Sequence, residues 1–289
     1  MKKYRLIIMA IIAMGIILIG TSDPLTNFYK TAGLISNGIN DNRNMEIDNT
    51  KNKDKQKYNT DRKDTQENNK LKNTSDENSK ILICIDPGHQ AKGDPNLEPI
   101  APGSPYKKAR VSSGTVGIST KKPEYVLNLE ASLVLKHILE DKGYSVIMTR
   151  EDHNVNISNS ERATFANNKN ANMVIRIHAD SLDNSSKTGA SILVPEEGGK
   201  YTSSIYEESN KCAQLIKGKM NELGIQLNGI FQRGDLTGFN WSKVPVVLVE
   251  MGFMSNYNED QMMSNPDYQR KLMQSIADGV EEYFTTKWH

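Results

Sequence analysis

Three apolar runs in this 289-residue chain end in a side chain able to bind a metal ion or move a proton. IDPGH ends in His89, VIRIH in His178 and VVLVE in Glu250. Taken singly, a histidine at the end of a strand is commonly a satisfied structural residue. In an open parallel sheet, however, the carboxyl ends of the strands line one crevice where ligands bind, so three such ends can converge. Two imidazoles and one carboxylate form a zinc ligand set with the fourth position open, the catalytic rather than the structural arrangement.

The carboxylate of that set has two candidates on one helical stretch, Glu124 and Glu130. At about 100° per residue, Leu127, Ala131, Val134, Leu135 and Ile138 form one apolar stripe, and Glu124 falls inside it. Glu130 lies about 240° around from Glu124, on a face that reads as solvated. A lone carboxylate turned toward a sheet is costly without a cation or hydrogen-bond partners. Glu124 is therefore the expected third ligand beside His89 and His178, although the helix dipole alone also favours a first-turn glutamate. Glu250 is then the expected general base. His137 on the helix flank, His153 in a polar loop and the terminal His289 read as solvated.

The elements that must position these groups alternate. Ile81 to Ile85 is a short continuous apolar run, as in a buried parallel strand. A Gly/Pro-rich loop from Ala91 to Thr120 is too long to be a mere connection. Pro123 opens a helix to Lys142 with Gly143 at its end. Tyr144 to Met148 reads as a strand, and Ser158 with Glu161 makes a capping box for a helix to Lys169. Met173 to Ile177, Ala190 to Val194 and Val244 to Val249 read as strands, Tyr206 to Leu223 and Tyr268 to Tyr283 as helices. The pattern predicts an α/β fold, a mostly parallel twisted sheet with helices on both faces, in a single catalytic domain over residues 81–289.

The rest of the chain is unlike that domain. Lys2, Lys3 and Arg5 precede an apolar run from Leu6 to Gly20, so residues 1–22 read as a signal peptide or an uncleaved N-terminal anchor. Residues 23–80 read as a polar linker, dominated from Ile39 onward by Asn, Lys, Asp and Glu, which bury too little to offset chain entropy. The expected location is extracytoplasmic, secreted or anchored in the envelope, with membrane contact only through the N-terminal segment. Residues 1–80 carry 14 Lys and Arg against 10 Asp and Glu, the remainder 22 against 25. Neither has the basic field of a nucleic-acid binder. Cys84 and Cys212 are the only cysteines, too few for a disulfide scaffold and expected as buried thiols.

Together, IDPGHQ, the helix EYVLNLEASLVLKHILEDKGYSVIMTR, NMVIRIHAD and VPVVLVEMGFMSN resemble the zinc-dependent N-acetylmuramoyl-L-alanine amidases of the amidase_3 type. The resemblance spans Ile81 to about Phe284 and implies hydrolysis of the amide between N-acetylmuramic acid and L-alanine in peptidoglycan. It implies His89, Glu124 and His178 as Zn2+ ligands and Glu250 as the catalytic carboxylate. Gln90 and Asp180 depart from the family's usual Gly and Asn, which bears on loop shape and substrate fit. Cell-wall or spore-cortex remodelling, with an envelope or spore partner protein, fits such an enzyme. A zinc peptidase acting within the stem peptide would use the same residues, and a non-catalytic wall-binding protein the same fold. Lys107, Lys108 and Arg110 read as a solvated loop or as contacts to stem-peptide carboxylates, and Arg150 and Arg162 as ion-pair donors or substrate contacts. Arg233-Gly234-Asp235 reads as a turn.

Overall fold

The computed structural model describes residues 80–287. The N-terminal segment 1–22, the linker through residue 79 and His289 lie outside the described residues. Six strands form the main sheet: β1 (Leu82–Pro87), β4 (Ser145–Met148), β5 (Met173–Asp180), β6 (Ala190–Pro195), β7 (Leu227–Arg233) and β8 (Val246–Phe253), in the order β4-β1-β5-β8-β6-β7. All adjacent pairs are parallel except β6 with β8. The mostly parallel sheet is as expected.

Alternation along the central strands explains their unbroken apolar character. Ile83, Ile85, Met173, Ile175, Ile177, Val247 and Val249 enter one core, while Cys84, Val174, Val246 and Leu248 enter another on the opposite face. A strand buried on both sides needs apolar residues at every position. Helices α1 (Glu124–Asp141), α3 (Ser203–Glu222) and α6 (Pro266–Lys287) supply the larger core, and α2 (Asn159–Asn168) and α4 (Thr237–Asn240) border the smaller. Cys84 and Cys212 are buried thiols whose pKa values burial pushes up. Among the described residues no helix is long and apolar enough to cross a membrane.

Register levels the functional ends of three neighbouring strands: Pro87 faces Ile177, and His178 faces Glu250. His178 and Glu250 lie within their strands rather than at the last residue, because pairing continues past a register shift to Asp180 opposite Phe253. By parity both share the face of Val174 and Leu248.

The long loop from Ala91 to Thr120 holds a separate antiparallel hairpin, β2 (Asp94–Pro99) and β3 (Lys107–Val111). Pro95, Pro99 and the charged residues hide it from strand patterning, since Pro is tolerated mainly at edges. Trp241 Nε1 ties the hairpin to the body by donating to the Pro99 carbonyl at 2.9 Å. The expected capping box on α2 is present, with Glu161 N donating to Ser158 Oγ and Ser158 N to the Glu161 carboxylate. Helix α1 starts one residue after Pro123, which serves as its N-cap. Strand β7, helix α4 and helix α5 (Tyr257–Met263) have no counterpart in the sequence reading.

Candidate metal centre

Where β1 ends, the chain turns through Gly88 into His89, whose φ of 61° is in the left-handed region. Carbonyls in such a turn leave the ladder and need other donors. Arg150 and Arg162 supply them. Arg150 donates from Nε to Pro87 O at 3.0 Å and from Nη2 to Gly88 O at 2.9 Å. Arg162 donates from Nη1 to Pro87 O at 2.8 Å and from Nη2 to His89 O at 2.9 Å. Both arginines are buried and bind the frame of the His89 loop, which decides between the two readings of them in favour of structure.

Arg162 also pairs with Asp86 at 2.8 Å, as does Arg176 from its Nε, and Thr149 Oγ1 donates at 2.5 Å. Burial opposes ionisation of Asp86, but the two guanidinium charges and these hydrogen bonds outweigh it and hold the carboxyl far below the usual range. Gln90 is fully buried. Its Oε1 accepts from Ile157 N at 3.1 Å and its Nε2 donates to Lys92 O at 3.0 Å, so the departure at this position is built into the loop.

The first turn of α1 carries Glu124 into this frame, only 4% exposed. Its Oε1 lies 3.1 Å from His89 Nε2 and 3.4 Å from His178 Nδ1. Oε1 also accepts from Asn128 Nδ2 and Ala179 N, and Oε2 from Thr115 N. One ligand atom from each of His89, Glu124 and His178 falls within 4.8 Å of the others, a group able to hold a metal ion. His89 Nδ1 points the other way, 3.1 Å from Ser112 O, so the tautomer with a proton there aims Nε2 at the centre.

Two glycines make the approach possible. A Cβ on Gly88 would sit 2.2 Å from the His178 ring, and one on Gly114, where φ is +79°, 2.5 Å from Glu124 Oε2. Burial lowers the His178 pKa to about 4, leaving a neutral imidazole at pH 7, the form that ligates metals. For Glu124 burial works against ionisation, but hydrogen bonds from His178 and His89 outweigh it and hold the carboxyl below its usual range.

Glu250 stands beside this trio rather than in it. Its Oε2 is buried and makes no hydrogen bond among the described residues. Burial, then repulsion from Glu124 and Asp180, raises its pKa well above the ordinary value, against the pull of Arg176 and Arg233. Such a group can carry a proton near neutral pH. It lines a cavity of about 270 Å³ with His89, His178, Lys108 and Arg233.

The other candidates lie elsewhere. Glu130 is half-buried and pairs with Lys122 at 2.5 Å, so the helical phase separates it from Glu124. His137 is half-buried on the helix flank, its Nδ1 3.8 Å from the Glu140 carboxylate. His153 is not simply solvated: its ring meets Tyr125 edge-on at 5.3 Å, and its carbonyl accepts from Ala91 N. Arg110 pairs with Asp94 and Glu161, and Lys107 is exposed.

Sequence reasoning passed over Asn128 and Asp260. Asn128 sits one turn after Glu124 on the same inner face, and that i,i+4 spacing was the available signal. Fully buried Asp260 accepts from Ser119 N, Thr120 N and Thr120 Oγ1, all at 2.7 Å, and so pins the loop that delivers Glu124. No local pattern marks that role, because its partners lie about 140 residues away.

Residues 83–282 match the family Amidase_3, described as N-acetylmuramoyl-L-alanine amidase. The chain is 25% identical over 215 residues to an N-acetylmuramoyl-L-alanine amidase of Mycobacterium tuberculosis, covering 72% of this chain and 88% of that one. It is 26% identical over 226 residues to the germination-specific N-acetylmuramoyl-L-alanine amidase of Bacillus subtilis, covering 71% and 81%. Among solved structures it is similar to the apo form of the amidase Ami1 from Mycobacterium abscessus, at 26% identity and a TM-score of 0.65, covering 71% of this chain and 98% of that one.

Proposed function

The chain belongs to the Amidase_3 family of N-acetylmuramoyl-L-alanine amidases, and from that premise we propose a zinc-dependent hydrolysis of the amide joining N-acetylmuramic acid to L-alanine in peptidoglycan. His89, Glu124 and His178 would hold the ion, and Glu250 would be the general acid-base residue. The observation that carries this reading is the buried Glu124 carboxylate, which meets both histidines while Glu250, in register with His178, keeps a buried oxygen without a partner among the described residues.

The donor set suits zinc: two imidazole nitrogens and one carboxylate oxygen, all buried or partly buried. His178 Nε2 is a buried nitrogen without a hydrogen bond among the described residues, in keeping with a ring placed for ligation rather than for packing. When bound, zinc supplies Lewis acidity to the scissile carbonyl and to the attacking water. Glu250 takes the proton from that water and returns it to the departing alanine amine, giving a lactyl carboxylate and a free amino terminus. Its raised pKa favours the protonated form that must follow the first transfer. The saturated carbonyls of Pro87, Gly88 and His89 keep the first imidazole in place throughout.

On this reading residues 1–22 direct the chain out of the cytoplasm as a signal peptide or anchor, residues 23–80 are a tether, and the domain acts on the cell wall or spore cortex. The similarity to a germination-specific amidase supports the cortex setting. The N-terminal segment or an envelope partner protein would bring it to the wall. Mass spectrometry of muropeptides after incubation with the full-length protein tests the reaction. Stem peptides released with a free L-alanine amino terminus are expected. Cuts inside the stem would instead identify a peptidase.

A further inference from the structure

The cavity that His89, His178 and Glu250 line is also lined by Lys108 from β3 and by Arg233 and Asp235 at the end of β7. Asp235 accepts from Arg233 Nε at 2.7 Å and Nη2 at 3.0 Å, and from Lys108 Nζ at 2.9 Å. Two cations thus share one anion, leaving the cluster with an excess positive charge. Arg233 Nη1 makes no hydrogen bond among the described residues, and its side chain is 42% exposed. The guanidinium lines the same cavity as Glu250.

An arginine fixed by one carboxylate is already ordered, so a second carboxylate meets a donor whose rotamer entropy has been spent. The Asp235 pairing therefore prepares Arg233 for an anion. Arg233 and Lys108 line the same cavity, of about 270 Å³, as Glu250, His89 and His178. An anionic group bound there must consequently lie within a residue or two of the scissile amide. In peptidoglycan the residue after L-alanine is a γ-linked D-glutamate, whose α-carboxylate is free in some walls and amidated in others.

We propose that Arg233, positioned by Asp235 and assisted by Lys108, binds the α-carboxylate of the second stem residue and makes the enzyme prefer the free acid over its amide. The inference rests on the amidase reading above. It assigns Arg233 a specificity role and leaves the chemistry to Glu250.

The test uses full-length protein and two matched synthetic muropeptides that differ only in having D-glutamate or D-isoglutamine at the second position. The free acid should be cleaved with kcat/KM about 10-fold or more above the amide, the scale of one hydrogen bond to a charged group, mostly through KM. Arg233→Gln should abolish that preference by lowering kcat/KM for the acid well beyond any change for the amide, with zinc content retained, and Lys108→Met should reduce it less. Equal turnover of both substrates by the unaltered protein, or a preference that survives Arg233→Gln, would overturn the subsite and leave the amidase reading standing. If neither substrate is cut, the amidase reading falls and takes the subsite with it. Should Arg233→Gln not fold, the wild-type preference and the Lys108→Met ratio still decide.

Discussion

The two histidines that reach Glu124 stand in opposite surroundings. Around His89 the polar groups are paired: its Nδ1 meets Ser112, its carbonyl takes Arg162, and the two carbonyls before it take Arg150 and Arg162. Across the crevice, His178 Nε2 and Glu250 Oε2 are buried without hydrogen bonds among the described residues. The first half is a frame completed by the protein itself. The second carries unmet polar demand, which is expensive in a stable core and useful where a metal ion, water or substrate must be bound. A site needs both: rigid support for geometry, and unsatisfied groups for reactivity.

Substitution on each side should therefore fail in a different way. Glu250→Gln should lower muropeptide turnover by roughly 10² to 10⁴ while leaving the urea midpoint nearly unchanged, because Oε2 has no hydrogen bond to lose among the described residues. A loss of stability comparable to the loss of rate would break the contrast. Arg162→Met should do the reverse first, costing about 3–5 kcal/mol in urea unfolding, because it deprives the buried Asp86 of one of two guanidinium partners. A near-neutral result would mean that the frame is not what holds the His89 turn.

Acid should separate the halves as well. The folded pKa of Asp86 lies far below its unfolded value of about 3.9, so its contribution is present above that value and is lost as pH falls toward the folded one. The unaltered protein should lose stability steadily below about pH 4, and Asp86→Asn should flatten that acid limb while lowering the plateau. The smallest effect belongs to Glu130→Gln, which removes a half-buried pair with Lys122 on the outer helix face. Zinc content and turnover should stay unchanged, and stability should shift by no more than about 1 kcal/mol.

Much of this contrast is readable from local pattern, and much is not. Strands β1, β5 and β8 announce themselves because burial on both faces demands unbroken apolar runs, and their parallel order then levels His89, His178 and Glu250. Helical phase places Glu124 inward and Glu130 outward because Leu127, Ala131, Val134, Leu135 and Ile138 mark the inner stripe of α1. The frame is invisible at that level. That Arg150 and Arg162 serve backbone carbonyls depends on where the turn after Pro87 sends them, which no spacing encodes. The β2–β3 hairpin likewise escapes a reading based on apolar alternation, since most of its residues are exposed. Arg233 and Lys108 become cavity neighbours only through that hairpin.

The central claim, that His89, Glu124 and His178 hold the metal while Glu250 acts beside it, is tested most directly by zinc content per chain in Glu124→Gln and Glu250→Gln, measured side by side on full-length protein. Zinc close to one per chain in Glu250→Gln and close to none in Glu124→Gln is the predicted result. Loss of zinc from Glu250→Gln with retention in Glu124→Gln would make Glu250 the ligand and contradict the assignment.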